Sequence, residues 1–175
     1  MLPDLISLGL AWFLAWLFAQ AAIHKFSAPG VYRQLVAVYL ETAMVGRSAV
    51  WLIASLELTV ALLLLLPISR QAGLAGSALM LLAYSGLMGL QLARGRVDLQ
   101  CGCAGPASNT TITPSLVARN LICVLLALLA MAPATVVTIG VLSTGLSIFI
   151  AVFSILTYLS SEQMISNAQQ MAGGR

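Results

Sequence analysis

The sequence predicts an all-α fold, a polytopic helical membrane bundle with four core transmembrane helices and a fifth. Three observations carry this. Only 7% of the 175 residues are charged and 61% are hydrophobic, whereas a soluble domain is about 25% charged. Mean hydropathy is +1.02, and the apolar residues come in runs long enough to cross a bilayer. No run alternates apolar and polar residues as a membrane β-barrel would, so helices must satisfy the backbone in hydrocarbon. The same composition excludes a disordered or collagen-like chain, and three cysteines do not make a disulfide scaffold. The eight basic residues are scattered, with no cluster that could track phosphates.

The first span, about residues 5–26, lacks a basic segment in front and is too long for a signal-peptide core. It reads as a retained helix despite the A-x-A pattern at Ala19 and Ala21. Residues 27–49 are too polar to span. Leu35, Val36, Tyr39 and Leu40 fall at helical spacing, which predicts a short helix at the interface or folded back on the bundle. The second span, 50–66, stops at Pro67. The third, 72–93, carries small residues, among them Gly73, Gly76, Gly86 and Gly89, that allow close helix approach. The fourth, 115–131, starts after Pro114, and the fifth covers 136–159. These elements form one integral-membrane domain over 1–160, with a polar tail, 161–175, expected to fray.

Five crossings put the 27–49 segment, the 94–114 loop and the tail on one side. That side holds Lys25, Arg33, Arg47, Arg94, Arg96, Arg119 and Arg175, against Arg70 on the other. Basic-residue bias alone would make the polar side cytoplasmic.

The loop contains Cys101-Gly102-Cys103. A C-x-C pair can be a redox dithiol, half of a metal site, or two unrelated thiols. A zinc or iron site usually takes four ligands, and only Cys123 and His24 could complete one, so no metal is expected. Thiol–disulfide exchange needs an attacking thiolate, a nearby resolving thiol and access for a partner. Gly102 permits the sharp bend of so small a ring, and a strained bridge would be relatively oxidising.

Glu57 lies seven residues into its span, roughly 10 Å deep at 1.5 Å per residue. Buried carboxylates in lipid are usually paired or functional. Lys25 is the expected partner and Arg119 the competitor; the pair either locks the bundle or also relays protons. Cys123 is one turn from Arg119 on the same face, as inert packing or as a second redox partner. His24 either caps the first helix or transfers protons. Asp98 is placed to orient Arg94 or Arg96, or to act on the nearby thiols.

These landmarks resemble the methylamine-utilisation membrane family MauE, within the DoxX-like group. The matching positions are Lys25, Glu57, Arg94-Gly95-Arg96, Cys101-Gly102-Cys103, Gly105 and Arg119-Asn120, over about residues 5–133. Gln100 and Ala104 depart from the family, which often has Asp and an aromatic residue there. The resemblance implies maturation of methylamine dehydrogenase, whose periplasmic small subunit carries many disulfides. It also implies a thioredoxin-like partner, MauD, a bacterial inner-membrane location and a periplasmic Cys101/Cys103 loop. Thiol–disulfide oxidoreductase activity follows if the dithiol is catalytic. A membrane quinone could accept the electrons, in an apolar pocket near Trp51 or Tyr84. The alternatives are a non-enzymatic assembly or anchoring factor and a small-solute transporter.

Overall fold

A computed structural model of the chain describes residues 2–42, 45–96, 99–100, 111–131 and 141–173. It contains six helices among these residues: α1 (Leu2–Ser27), α2 (Pro29–Tyr39), α3 (Arg47–Leu65), α4 (Arg70–Ala93), α5 (Pro114–Ala130) and α6 (Val141–Gly173). Four of them, α1, α3, α4 and α6, are long and apolar enough to cross a membrane. At 17 residues α5 sits at the lower edge of the crossing range.

The outer surface shows which solvent this bundle meets. Leu52, Leu56 and Leu62 on α3, Ile122, Leu125 and Leu129 on α5, and Phe149, Phe153 and Leu156 on α6 are all exposed. Apolar surface this extensive is covered by lipid, not water. The chain is a multi-pass membrane protein.

Helix α1 is the central element and contacts every other helix. Its core face, with Leu10, Phe13, Leu14 and Phe18, packs with Leu64, Leu74, Val124, Ala127 and Tyr158. Helix α5 shows how the sequence selects that face. Leu116, Arg119, Asn120, Cys123, Val124, Ala127 and Ala130 are buried, and their spacings of three and four residues define one stripe of a helix. Close approach relies on glycine where helices cross. A Cβ on Gly73 would come within 2.7 Å of the Leu64 backbone nitrogen, and one on Gly9 within 2.7 Å of Ile150.

Helix ends follow local chemistry. Leu66 is extended, as a residue before proline prefers, and stops α3. Helices α2 and α4 close with the same turn. Gly95 has φ +76°, and the N–H groups of Gly95 and Arg96 donate to Leu92 and Gln91, the Schellman pattern. Glu41 has φ 54°, while the N–H groups of Glu41 and Thr42 donate to Val38 and Ala37. A non-glycine residue in this conformation costs about 1–2 kcal/mol, so its side chain must have a use.

The expected short helix after the first span is α2, folded back against α1 and α3. Its anchor is the buried Tyr32, while Leu40 is exposed. The tail departs from expectation: α6 continues without interruption through Ser160 to Gly173. The reason is periodic. Tyr158, Glu162, Ile165 and Gln169 recur every three or four residues, and each touches the bundle, so tertiary contacts hold a segment that composition alone leaves loose.

Candidate functional site

The long polar side chains gather at one end of the bundle. There the C-terminal parts of α1, α4 and α6 meet α2 and the N-terminal parts of α3 and α5. At the centre is Glu57, completely buried. It is the eleventh residue of α3, about 15 Å from the helix start at 1.5 Å per residue. Its Oε1 accepts hydrogen bonds from Lys25 Nζ at 2.7 Å and from the Tyr84 hydroxyl at 2.6 Å. Glu57 Oε2 is buried without a hydrogen-bond partner among the described residues. The Lys25 ammonium also faces the rings of Tyr32 and Tyr84, 5.3 and 5.7 Å from their centroids, within cation–π range.

These groups line a cavity of about 210 Å³, open on one side. Its walls are otherwise mainly apolar and come from all six helices, including Phe18, Val36, Ile53, Leu81, Met88 and Tyr158. Asn120 from α5, Gln20 from α1 and Glu162 from α6 add to the polar part, and Asn120 is the most enclosed of the three. It is 3% exposed, and its Nδ2 has no hydrogen-bond partner among the described residues. Exposed Leu40 and Leu87 stand on the lining as well.

Beside the cavity, the described residues on either side of 101–110 are tied together. The Ile112 N–H donates to the Leu99 carbonyl at 2.8 Å, and Gln100 and Thr111 pair as an antiparallel bridge. Tyr39 donates its hydroxyl to the Gln100 carbonyl at 3.1 Å. Gln169 closes the other side with both ends of its amide: Oε1 accepts from Thr111 N–H at 3.0 Å and Nε2 donates to Thr111 O at 2.9 Å. The fully buried Gln91 donates to the Tyr39 carbonyl at 2.9 Å. Below them Met88, Ile112 and Leu116 form a small second core.

The family model described as methylamine utilisation protein MauE matches residues 3–133. The chain belongs to the MauE family. No curated protein and no solved structure matches it. The match ends before α6, so Glu162 and Gln169 come from outside the matched residues.

The MauE-family landmarks fall as follows. Lys25 pairs with Glu57, and the competing cation, Arg119, lies elsewhere. Its guanidinium is stacked 4.4 Å from the Tyr158 ring centroid and 3.9 Å from Glu162. Arg94 and Arg96 both pair with Glu41. This gives the Arg94-Gly95-Arg96 motif a physical sense: Gly95 makes the left-handed turn, and the flanking arginines meet the carboxylate of the other left-handed residue. Cys123 is buried in the main core, on the same buried face as Arg119. His24 is half-buried; its carbonyl accepts from Ser27 Oγ and the Ala28 N–H, so its backbone, not its imidazole, ends α1. Asp98, Cys101, Gly102, Cys103 and Gly105 lie outside the described residues.

Of the two aromatic positions expected near an apolar pocket, Tyr84 lines it. Trp51 does not. It is exposed and packs edge-on against Phe26. Sequence reasoning missed Glu41, Tyr39, Gln91, Glu162 and Gln169. For the last two the signal was present, in a 3.6-residue period running on from Tyr158; for Glu41 nothing short of the helix-end geometry would have shown it.

Proposed function

We propose that this MauE-family chain is the membrane redox component in maturation of methylamine dehydrogenase, acting on the small subunit through Cys101 and Cys103 with a MauD-like thioredoxin-fold partner. In this reading an oxidised Cys101–Cys103 bridge is attacked by one thiolate of the partner's reduced dithiol, giving a mixed disulfide and one free Cys thiolate. The partner's second thiolate then attacks the mixed disulfide. The partner leaves with its own disulfide, ready to oxidise the client, and Cys101 and Cys103 are left as a dithiol carrying the two electrons. Run backwards, the same steps supply reductant for isomerisation.

One observation supports this reading above the others. The segment that carries the cysteines departs from a base held by Tyr39, Gln169 and the Leu99–Ile112 hydrogen bond, beside the buried Lys25–Glu57 pair. A loop presented to a partner benefits from such a base, because less freedom is lost on docking.

The reading places the polar end in the periplasm, where disulfides persist, against the basic bias. The ion pairs weaken that bias. Lys25 faces Glu57, Arg119 faces Glu162, and Arg94 and Arg96 share Glu41, so three carboxylates offset part of the charge of four of the seven basic residues. A membrane-impermeant alkylating reagent on intact cells tests both parts. Labelling of Cys101 and Cys103 only after reduction is expected. Labelling only after the membrane is opened would put the loop in the cytoplasm. Normal dehydrogenase maturation with Cys101→Ser/Cys103→Ser would reject the dithiol and leave an anchoring role.

A further inference from the structure

The cavity lined by all six helices is not used by thiol exchange with a thioredoxin-fold partner, yet its walls are specific. We propose that it is a binding site for the head group of a lipid-soluble quinone; this rests on the redox reading above and supplies the electron acceptor that reading needs.

The lining decides the ligand class by elimination. An aqueous, multiply polar molecule is excluded because most of the wall is aliphatic or aromatic. A cation would meet Lys25, and an anion such as a fatty-acid carboxylate would meet Glu57 and Glu162. A neutral molecule meets neither conflict, and a ring with polar atoms at its edges also matches the few polar groups set in this apolar wall. Size agrees: a cavity of about 150 Å³ accepts benzene, and this one is about 210 Å³, enough for one substituted ring with its tail leaving by the open side. Leu40 and Leu87, both on the lining and both exposed, give the tail an apolar surface to follow out of the cavity.

Two buried polar atoms fit the two redox forms. A quinone carbonyl only accepts hydrogen bonds, and the Asn120 Nδ2 has a donor to give, with no partner for it among the described residues. A hydroquinone hydroxyl also donates, and Glu57 Oε2 is an acceptor in the same condition. Leaving such groups unsatisfied costs about 1–3 kcal/mol each. Lys25, which spends one of its three N–H groups on Glu57 Oε1, stands beside them as a further donor.

The reaction balances. Cys101 and Cys103 form one S–S bond, losing two protons and two electrons. The quinone takes up both and becomes the hydroquinone.

The test uses the full-length chain in quinone-free lipid nanodiscs and an azido-substituted short-chain 1,4-benzoquinone as photolabel. Saturable labelling of peptides containing Leu81, Tyr84 or Asn120 is expected, with competition by unlabelled short-chain benzoquinone. Asn120→Leu, which removes one hydrogen bond, should weaken binding about five- to tenfold. Val36→Trp, which fills the cavity from a half-buried position on α2, should abolish it. Labelling that does not saturate, that is unchanged in both variants in folded protein, or that oleate displaces as well as benzoquinone does, overturns the site. The Cys101→Ser/Cys103→Ser protein separates the two proposals. It should still bind the label but not reduce quinone. Undiminished binding by wild-type protein without any quinone reduction by the reduced dithiol would sustain the site and remove the redox reading.

Discussion

Breaking the Lys25–Glu57 pair from one side should cost far more than removing it from both. Glu57 is completely buried and the Lys25 side chain is 11% exposed, so neither charge is well solvated once its partner is gone. Lys25→Met leaves a buried carboxylate held only by the Tyr84 hydroxyl. A buried charge left this way costs about 3–5 kcal/mol, whereas replacing both partners by apolar residues is often neutral. Glu57→Leu leaves the ammonium facing the two tyrosine rings, at a cost of the same order. Lys25→Met/Glu57→Leu should recover most of the loss, so the double-mutant cycle should show a coupling close to the sum of the two single costs, about 6–10 kcal/mol. Steric trapping of the four proteins in bicelles measures the free energies directly. The reasoning fails if Lys25→Met costs under about 1 kcal/mol, or if the double variant is no more stable than the worse single one. The double variant also separates two roles. If it is stable and inserts normally but maturation of the dehydrogenase is lost, the pair serves the site and not only the fold.

Five other substitutions, at four positions, test the packing, a turn and the buried thiol. Gly73→Val should destabilise by about 1–3 kcal/mol or more, because its Cβ meets the α3 backbone; Gly86→Ala, where a Cβ meets nothing, should be neutral or slightly stabilising in the same unfolding assay. Glu41→Gly relieves a left-handed residue worth about 1–2 kcal/mol but loses exposed ion pairs worth at most about 1 kcal/mol, so it should be neutral or stabilising, while Glu41→Ala loses the pairs without that relief. An Ala variant more stable than the Gly variant would contradict this account. Cys123→Ala should cost about 1 kcal/mol for a small buried side chain and leave maturation yield intact; a folded Cys123→Ala protein that no longer matures its client would make Cys123 a redox partner.

The helices were legible because lipid makes apolar length a direct signal, and the predicted spans lie within or close to α1, α3, α4, α5 and α6. The Lys25–Glu57 pair was legible for a related reason: two charges in so apolar a sequence have few partners to choose from. What was not legible has a common cause. Arg119 was read as a competitor for Glu57 because one-dimensional spacing does not say which helix faces which, and its neighbours Tyr158 and Glu162 are some 40 residues further on. Helix α6 beyond Ser160 was misread because polar composition outweighed a periodicity that only tertiary contact makes decisive. The left-handed Glu41 breaks the usual preference for glycine, and its compensation by Arg94 and Arg96 is long-range.

The two ends of the bundle explain why a cavity exists at all. Away from the loop, helices meet through small residues: Gly9 against α6, Gly73 against α3, Ser7 donating to the Ala130 carbonyl and Ser147 to that of Leu5. Backbones that approach so closely leave no room between them. At the polar end Tyr32, Tyr39, Tyr84 and Tyr158 all stand on the cavity wall, together with the Lys25–Glu57 ion pair. Long side chains joined tip to tip hold helices apart and cannot fill the space between their stems. A bundle pinned at one end by glycine, alanine and serine and propped at the other by tyrosines therefore opens on the propped side. That side is also where α4 ends at Ala93 and α5 begins at Pro114, the two elements that flank Cys101-Gly102-Cys103 in the sequence. Filling the cavity with larger aliphatic residues should thus stabilise the bundle while harming maturation, the trade expected of a site kept open for use.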